Sequence, residues 1–229
     1  MFGLITSIYQ QFLYFLSPPF CYVCKKSLNY RATFCDLCKN KIGSIPSCSI
    51  DLSSDMKIKV LSASAYCDPL KKLVMAKSWS DRNASRELGK IMWEQTQVSS
   101  LNFDFVVPIP LHWSRYAYRG FNQAWEIGNV ISCMSGKPMA DILYRKRRTI
   151  FQSYMTPIER RDNVKSVFAT KALNEETKYY EKKFLLVDDV MTTGSTLKAA
   201  ASALIKLRPT AVTAVVGCRV VKQSLFRKG

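Results

Sequence analysis

Hydrophobic and polar positions follow two alternating periods along most of this chain. From about residue 56 onward, short apolar runs typical of buried strands are separated by longer segments whose apolar residues recur every three or four positions. The predicted strands are 60–66, 103–109, 183–187 and 211–218, and the predicted helices are 69–77, 84–97, 121–134 and 195–207. Strands that alternate with helices predict an α/β fold in which an open parallel sheet is flanked by helices.

The N-terminal stretch is different, because it is almost entirely apolar. One helical face would be formed by Phe2, Ile5, Tyr9, Phe12 and Leu16. This spacing predicts an amphipathic helix over residues 1–17, which is too short to cross a bilayer. No basic stretch precedes the helix and no small-residue cleavage site follows it, so we expect a cytoplasmic chain. The helix would either pack on the protein or rest peripherally on the inner membrane, and the sequence leaves both open.

The pattern changes again near residues 43–56, a stretch that is rich in Ser and contains Gly43 and Pro46. We place the main boundary there. Three units are therefore predicted: the N-terminal helix over 1–17, a small cysteine-rich module over 18–50, and the α/β domain over 56–229.

Composition adds a strong positive charge to this picture. The chain has 229 residues, of which 48% are hydrophobic and 12% aromatic, which excludes a disordered or fibrous protein. Its 34 basic and 17 acidic residues give a net charge of +17. Such an excess indicates either a polyanionic partner or a charged surface that only keeps the protein soluble, and composition favours neither.

Four of the eight cysteines have the spacing of metal ligands. Cys21 and Cys24 form one C-x2-C pair, and Cys35 and Cys38 form a second. Two such pairs supply the four thiolates of a tetrahedral structural zinc site. The alternative is two disulfides, which would need an oxidising compartment that the N-terminus does not indicate. The other cysteines share no such spacing and are interpreted as ordinary thiols: Cys48, Cys67, Cys133 and Cys218.

The most informative stretch follows the predicted strand 183–187. Asp188 and Asp189 come at its carboxyl end, where ligands bind in open α/β sheets. Adjacent carboxylates suit the vicinal hydroxyls of a ribose. The hydroxyl-rich loop 192–196, with Gly194 at its tight point, opens onto a helix and suits a phosphate monoester. The stretch thus predicts a ribose 5-phosphate site; the magnesium strand of a P-loop ATPase is excluded because the chain has no G-x-x-x-x-G-K-[ST] motif.

These residues carry a resemblance to a known family. The stretch 187–196 resembles the phosphoribosyl pyrophosphate (PRPP) motif of type I phosphoribosyltransferases. Three further motifs resemble those of the competence protein F family: the preceding four-cysteine module, Pro108-Ile-Pro110 with Arg119-Gly-Phe-Asn-Gln123, and a T-x2-Q-x2-L-x4-R-x2-N-x4-F pattern matched by Thr149, Gln152, Arg160, Asn163 and Phe168. Only Met155 departs from that last pattern, at the Leu position. The resemblance covers about residues 18–218.

The resemblance implies a phosphoribosyltransferase-like fold and a set of ligand-binding residues. PRPP, accompanied by Mg²⁺, would be held by Asp188, Asp189, Met191, Thr192, Thr193, Gly194, Ser195 and Thr196. The pyrophosphate side would be formed by Pro110, Leu111, Arg119 and Lys77. Arginine suits this role because its guanidinium binds phosphate oxygens in a bidentate fork. The basic run Arg145, Lys146, Arg147 and Arg148 leads into the segment 149–163, which by the resemblance would be a mobile loop over the reacting centre. This run supplies candidate DNA contacts, the alternative being a solvated charge run.

Two functions are consistent with these features. The resemblance implies a competence factor that handles imported single-stranded DNA during natural transformation, with a DNA translocase or helicase and other uptake proteins as partners. The alternative is an active phosphoribosyltransferase that transfers ribose 5-phosphate from PRPP to an acceptor. No second motif specifies an acceptor, so the sequence leaves enzymatic activity, catalytic residues, DNA preference and oligomeric state undetermined.

Overall fold

A computed structural model describes residues 19–29, 32–53, 56–76, 82–111, 116–117, 120–146, 167–171 and 176–221. The helix predicted over 1–17 lies outside these residues. In chain order the elements are α1 (Asp36–Lys39), β1 (Cys48–Asp51), β2 (Lys57–Ala65), α2 (Leu70–Ala76), α3 (Arg82–Gln95), β3 (Phe105–Pro108), α4 (Gln123–Ser135), β4 (Leu143–Arg145), β5 (Phe168–Thr170), β6 (Lys183–Met191), α5 (Ser195–Leu204) and β7 (Ala211–Arg219). Within the described ranges, no helix is long and apolar enough to cross a membrane.

The described strands form a five-stranded sheet in the order β1–β2–β7–β6–β3. The strands β2, β7, β6 and β3 are mutually parallel, which confirms the predicted α/β class. The edge strand β1 is antiparallel to β2 and was not predicted. With only four residues, of which none is fully buried, β1 leaves no clear hydrophobic pattern in the sequence.

A second pairing was also missed at the sequence level. The strands β4 and β5 form a two-stranded antiparallel ribbon in which Leu143 pairs with Thr170 and Arg145 pairs with Phe168. Each strand has three residues and its partner lies more than twenty positions away. Because non-local pairings of such short strands leave no local signal, only the tertiary structure reveals the ribbon.

Helices cover both faces of the main sheet. On one face, Leu73 of α2, Leu88 of α3 and Ile127 of α4 belong to the same buried cluster. On the other face, Leu197 of α5 and Phe168 of β5 belong to a second cluster. This two-sided covering explains why the central strands consist of nearly continuous apolar runs.

The cysteine-rich segment packs against the first of these faces. Its buried residues join the same cluster as Leu88: Cys21, Leu28, Phe34, Cys35, Cys38 and Ile42. At the edge of this contact, the Thr33 hydroxyl donates to Glu87 Oε2 over 2.9 Å, and Lys39 Nζ lies 3.1 Å from Glu94 Oε2. Both carboxylates belong to α3, so this helix joins the cysteine-rich segment to the sheet.

Candidate functional site

The four predicted metal ligands come together in space. The sulfur atoms of Cys21, Cys24, Cys35 and Cys38 all lie within 4.8 Å of one another, and Cys24 Sγ is 3.7 Å from Cys35 Sγ. None of the four cysteines forms a disulfide in the structure. This arrangement fits a tetrahedral zinc site and does not fit the alternative of two disulfides.

Local backbone structure places each cysteine pair. The first pair lies on a tight hairpin closed by hydrogen bonds from Cys21 N to Lys26 O and from Lys25 N to Cys21 O, with Lys25 in the left-handed region at φ 61°. The second pair begins and ends the first turn of α1, whose amide N–H groups at Cys38 and Lys39 bond to the Cys35 carbonyl. Both backbone segments turn their sulfur atoms toward one point.

Two of the clustered thiols, Cys21 and Cys38, have pKa values shifted in opposite directions. Burial raises the pKa of Cys21, but hydrogen bonds from the backbone at Cys24, Cys35 and Val23 together outweigh it and lower that pKa to about 6. Burial, neighbouring thiols and the charge of Cys21 raise the pKa of Cys38 to about 12. A cluster that holds one thiolate readily resists holding four without a cation, so a metal would bind with release of protons.

The stretch predicted to bind ribose phosphate lies at the end of the central strand β6. This strand runs to Met191, four residues beyond the predicted end, because its ladder with β7 continues through Asp188 opposite Val216 and Val190 opposite Cys218. The sequence pattern ended the strand too early, since the acidic pair interrupts the apolar run. Asp188 and Asp189 are half-buried, and the amide of Asp189 donates to Asp188 Oδ1 over 2.8 Å.

The alternation of side chains is irregular at this acidic pair. In a regular strand, successive side chains point to opposite faces of the sheet. Here Val187 and Val190, three positions apart, belong to the cluster on one face, while Leu186 and Met191 belong to the other. The two aspartates therefore lie at an irregular point in the strand.

The loop after β6 has the form expected of a phosphate-binding turn. Gly194 adopts a left-handed conformation at φ 79° and forms the N-cap of α5 without a side-chain capping hydrogen bond. Thr192, Thr193 and Ser195 are exposed, and the Thr193 hydroxyl donates to Ser195 Oγ over 3.1 Å. Thr196, also exposed, completes this hydroxyl-rich rim. A helix N-terminus lined by hydroxyls favours an anion.

The predicted pyrophosphate loop lies next to this turn. Pro108, the last residue of β3, pairs with Val187 of β6, and the Ile109 amide donates to the Val187 carbonyl over 3.0 Å. Pro110 and Leu111 follow directly and are half-buried. Because parallel neighbours end at the same edge of the sheet, this loop and the acidic pair share one edge.

Asn122 anchors this loop, a role that the sequence analysis did not assign. Its Nδ2 donates to the Ile109 carbonyl over 3.0 Å, and its Oδ1 accepts from the Ala124 amide as the N-cap of α4. The preference of Asn for N-cap positions was the available signal. The next residue, Gln123, is buried, and its Nε2 has no hydrogen-bond partner in the part of the chain that is described.

An ion pair links α4 to α3 below this loop. The buried carboxylate of Glu126 accepts from Arg86 Nε over 2.8 Å, and Arg82 Nε lies 4.0 Å away. The Arg82 guanidinium also lies 5.5 Å from the ring centre of Phe121. No local sequence signal identifies this pair, since its members are about forty positions apart.

Two of the four candidate DNA contacts lie within the described residues. Arg145 is half-buried, with its guanidinium 5.5 Å from the ring centre of Phe168, whereas Lys146 is exposed. The stacking contact gives Arg145 a structural role in the β4–β5 ribbon. The remaining predicted residues of the basic run and the pyrophosphate side lie outside the described residues: Lys77, Arg119, Arg147 and Arg148.

Known proteins are similar to this chain in two ways: one family model matches part of it, and individual proteins match most of it. The phosphoribosyl transferase domain family matches residues 117–226, which include the acidic pair and the turn after it. Competence protein F of Haemophilus influenzae is 29% identical over 198 residues, covering 83% of this chain and 80% of that protein. The chain is thus similar to competence protein F over most of its length. The resemblance described from the motifs is therefore confirmed, and the four clustered cysteines fit its zinc module.

Other proteins are also similar to this chain. The DNA utilization protein YhgH of Salmonella typhi is 27% identical over 207 residues, covering 86% of this chain and 88% of that protein. Among solved structures, a glutamine PRPP amidotransferase from B. subtilis has a TM-score of 0.42 at 17% identity. That match covers 59% of this chain and 26% of the longer amidotransferase chain. The phosphoribosyltransferase-like fold class is confirmed, whereas the individual ligand residues stay predictions.

Proposed function

We propose that this protein is a cytoplasmic competence factor that handles incoming single-stranded DNA and binds PRPP, with Mg²⁺, at the turn after β6. The observation that carries the proposal is the arrangement at the end of β6. There, two half-buried carboxylates are followed within five residues by the left-handed Gly194 and the N-terminus of α5, where the Ser195 amide donates to Thr193 Oγ1 over 3.4 Å. The carboxylates suit the two ribose hydroxyls, and the turn suits the 5-phosphate.

The neighbouring loop after β3 supports the pyrophosphate part of this ligand. Pro110 and Leu111 lie at the same sheet edge as Asp188, and Asn122 holds the backbone of that loop in place. Rigid backbone groups at such an edge bind phosphate oxygens without reorganising. Arg119 and Lys77 are proposed to neutralise the charge of the pyrophosphate, to which Mg²⁺ would contribute when bound.

The DNA part of the proposal rests on the relatives and on charge. One relative is named for competence and another for DNA utilization, and each aligns with more than four fifths of this chain. The net charge of +17 is the electrostatic footprint expected of a chain that binds a polyanion. The zinc module and the basic run at 145–148 are the proposed contact regions.

A second candidate function is transfer of the phosphoribosyl group to an acceptor. The match of the phosphoribosyl transferase family across residues 117–226 favours it. The two functions are distinguished by incubating the protein with PRPP, Mg²⁺ and candidate nucleobase or amine acceptors. Acceptor-dependent release of pyrophosphate would establish the transferase; binding of PRPP without turnover would support a binding role.

Calorimetry with PRPP and Mg²⁺ tests the proposed site. In Asp188→Asn combined with Asp189→Asn, each lost charge-assisted hydrogen bond to the ribose should cost about 1.5–3 kcal/mol. The two losses together should weaken PRPP binding by roughly 100-fold or more. The thermal unfolding midpoint should change little, because neither carboxylate is fully buried.

A matched control removes two carboxylates elsewhere. Asp51 and Asp141 are exposed and belong to surface ion pairs with Lys57 and Lys171. The double change of these residues to Asn should leave PRPP affinity within about twofold of the wild type, since surface ion pairs contribute little. Equal PRPP affinity in the wild type and the Asp188, Asp189 variant would contradict the assignment of the site.

A further inference from the structure

The zinc module presents an exposed aromatic pair that the phosphoribosyl site does not use. Phe20 is 49% exposed, and its ring centre lies 6.5 Å from that of the half-buried Tyr22, with 30° between the ring planes. Lys25 Nζ lies 5.1 Å from the first ring centre and 5.9 Å from the second. We call the surface formed by Phe20, Tyr22, Lys25 and Lys26 the Phe20 platform.

The backbone beneath this platform is fixed by the metal-binding hairpin. Phe20 and Ser27 form an antiparallel bridge, and the Leu28 amide donates to the Pro19 carbonyl over 2.8 Å. Cys21, which lies between the two rings in sequence, is fully buried. The Phe20 platform is therefore held on a rigid backbone, and little conformational entropy is lost when a flat ligand stacks on it.

Space and charge around the platform favour a polyanion that carries flat groups. A surface cleft of about 440 Å³ is lined by Pro19, Phe20, Lys25 and Ser27. Residues 19–45 contain five basic residues and one acidic residue. Within the described ranges, neither Lys25 nor Lys26 forms a salt bridge, whereas Lys39 of the same module is paired with Glu94 of α3.

From these observations we propose that the Phe20 platform binds single-stranded DNA through its bases. One unpaired base stacks on the Phe20 ring, while Lys25 and Lys26 contact the adjacent phosphates. This inference rests on the proposed function in DNA handling and adds a location and a mode of contact to it. Duplex DNA is excluded as the ligand, because its bases are already stacked on one another and cannot reach a protein ring.

The lysine on the ring does not prevent this binding. A cation–π contact at an exposed site is weak, and the lysine side chain is long and flexible. Lys25 can therefore leave the ring and follow a phosphate when a base arrives. After this exchange, the ammonium group binds a phosphate and the Phe20 ring stacks on the base.

The test measures fluorescence anisotropy of labelled oligonucleotides with the zinc-loaded full chain. The probes are a 20-nucleotide oligo(dT) and an abasic strand of equal length and charge. Phe20→Leu keeps apolar bulk but removes the flat ring, so oligo(dT) affinity should fall about tenfold while affinity for the abasic strand stays unchanged. Lys25→Asn, which tolerates the left-handed backbone, should weaken binding of both probes.

Two controls separate the platform from a general loss of structure. Tyr180→Leu removes an exposed aromatic ring outside the zinc module and should leave both affinities unchanged. Zinc content and PRPP binding of Phe20→Leu should equal those of the wild type, which shows that the hairpin and the larger domain are intact.

The outcomes also distinguish the platform from the function on which it rests. If the wild type binds oligo(dT) and Phe20→Leu binds it equally well, the Phe20 platform is not the base-stacking site, whereas the proposed DNA function stands. If the wild type binds neither probe, the DNA function itself fails. Photocrosslinking with 5-iodouracil locates the contact directly: the peptide that contains Phe20 should carry the nucleotide, and crosslinks confined to other peptides would overturn the proposal.

Discussion

At the scale of single residues, the turn after β6 depends on the absence of a side chain at Gly194. Its φ of 79° is a conformation that other residues adopt only with strain. A Cβ atom at this position would lie 2.6 Å from Ile50 Cδ1 on the edge strand β1. This turn is therefore shaped both by its own backbone and by a residue from a distant part of the chain.

We expect Gly194→Ala to weaken PRPP binding and to destabilise the fold. The left-handed backbone alone should cost about 1–2 kcal/mol, to which the contact with Ile50 adds. Combining the change with Ile50→Ala should relieve the contact but not the backbone strain, so stability should recover only in part relative to Ile50→Ala alone. Thermal unfolding and calorimetry with PRPP measure both effects. Gly43→Ala is the control, because its Cβ would meet nothing within 4 Å; equal losses in both glycine variants would contradict the explanation.

At the scale of elements, α3 connects the four-cysteine module to α4 and the loop before it. One side of this helix holds Glu87 and Glu94, which contact the zinc module, and another side holds Arg86, which pairs with Glu126 of α4. The first residue of α4 follows Asn122, which anchors the loop after β3. Since the zinc module also shares a buried cluster with Leu88 of α3, we expect its folding to add to the stability of the larger domain.

Removal of the metal ligands should therefore affect the whole protein. We expect Cys21→Ser with Cys24→Ser to release the metal and to lower the unfolding midpoint by at least about 5 °C, since roughly 1 kcal/mol corresponds to 2–4 °C at this size. Metal analysis and calorimetric unfolding are the measurements. Cys67→Ser with Cys133→Ser, which removes two exposed thiols, should change neither quantity. An unchanged midpoint in the metal-free variant would show that the module does not stabilise the domain.

At the scale of the whole molecule, the excess of positive charge governs the expected interaction with DNA. Single-stranded DNA binding should weaken steeply with salt, with each neutralised phosphate contributing about −0.7 to the slope of log affinity against log salt concentration. Sequence preference should be weak, because phosphate contacts and base stacking carry little base information.

Removing most of the basic run should make that slope shallower. Replacing Lys146, Arg147 and Arg148 by Ala is expected to reduce it by up to about 2 if all three contact phosphates. Arg145 is kept, because its stacking on Phe168 supports the β4–β5 ribbon. Anisotropy titrations at several salt concentrations give the slopes.

The control removes the same charge from other parts of the surface. Lys59, Lys198 and Lys206 are exposed, and their replacement by Ala should change the slope by much less. If the two triple variants have the same slope, the basic run is not a specific DNA contact, and only the net charge of the molecule matters.

The sequence by itself determined the α/β class, the pairing of four cysteines at the spacing of metal ligands, and the glycine-containing turn after the acidic pair. Each of these depends on local signals: apolar runs that form buried strands, two C-x2-C pairs, and an acidic pair followed by a hydroxyl-rich turn with glycine. Local signals survive in a one-dimensional pattern because the residues that act together are neighbours in the chain.

Only the tertiary structure decided how these parts are joined. Four features bring together residues that are distant in sequence or whose roles depend on packing. They are the antiparallel edge strand β1, the close approach of Ile50 to Gly194, the anchoring of Ile109 by Asn122 and the packing of the zinc module on α3. The strand β6 also ran past its predicted end, because hydrogen bonds to β7 continue after the apolar pattern stops. Backbone pairing and close packing depend on three-dimensional proximity, for which a single sequence carries no periodic signal.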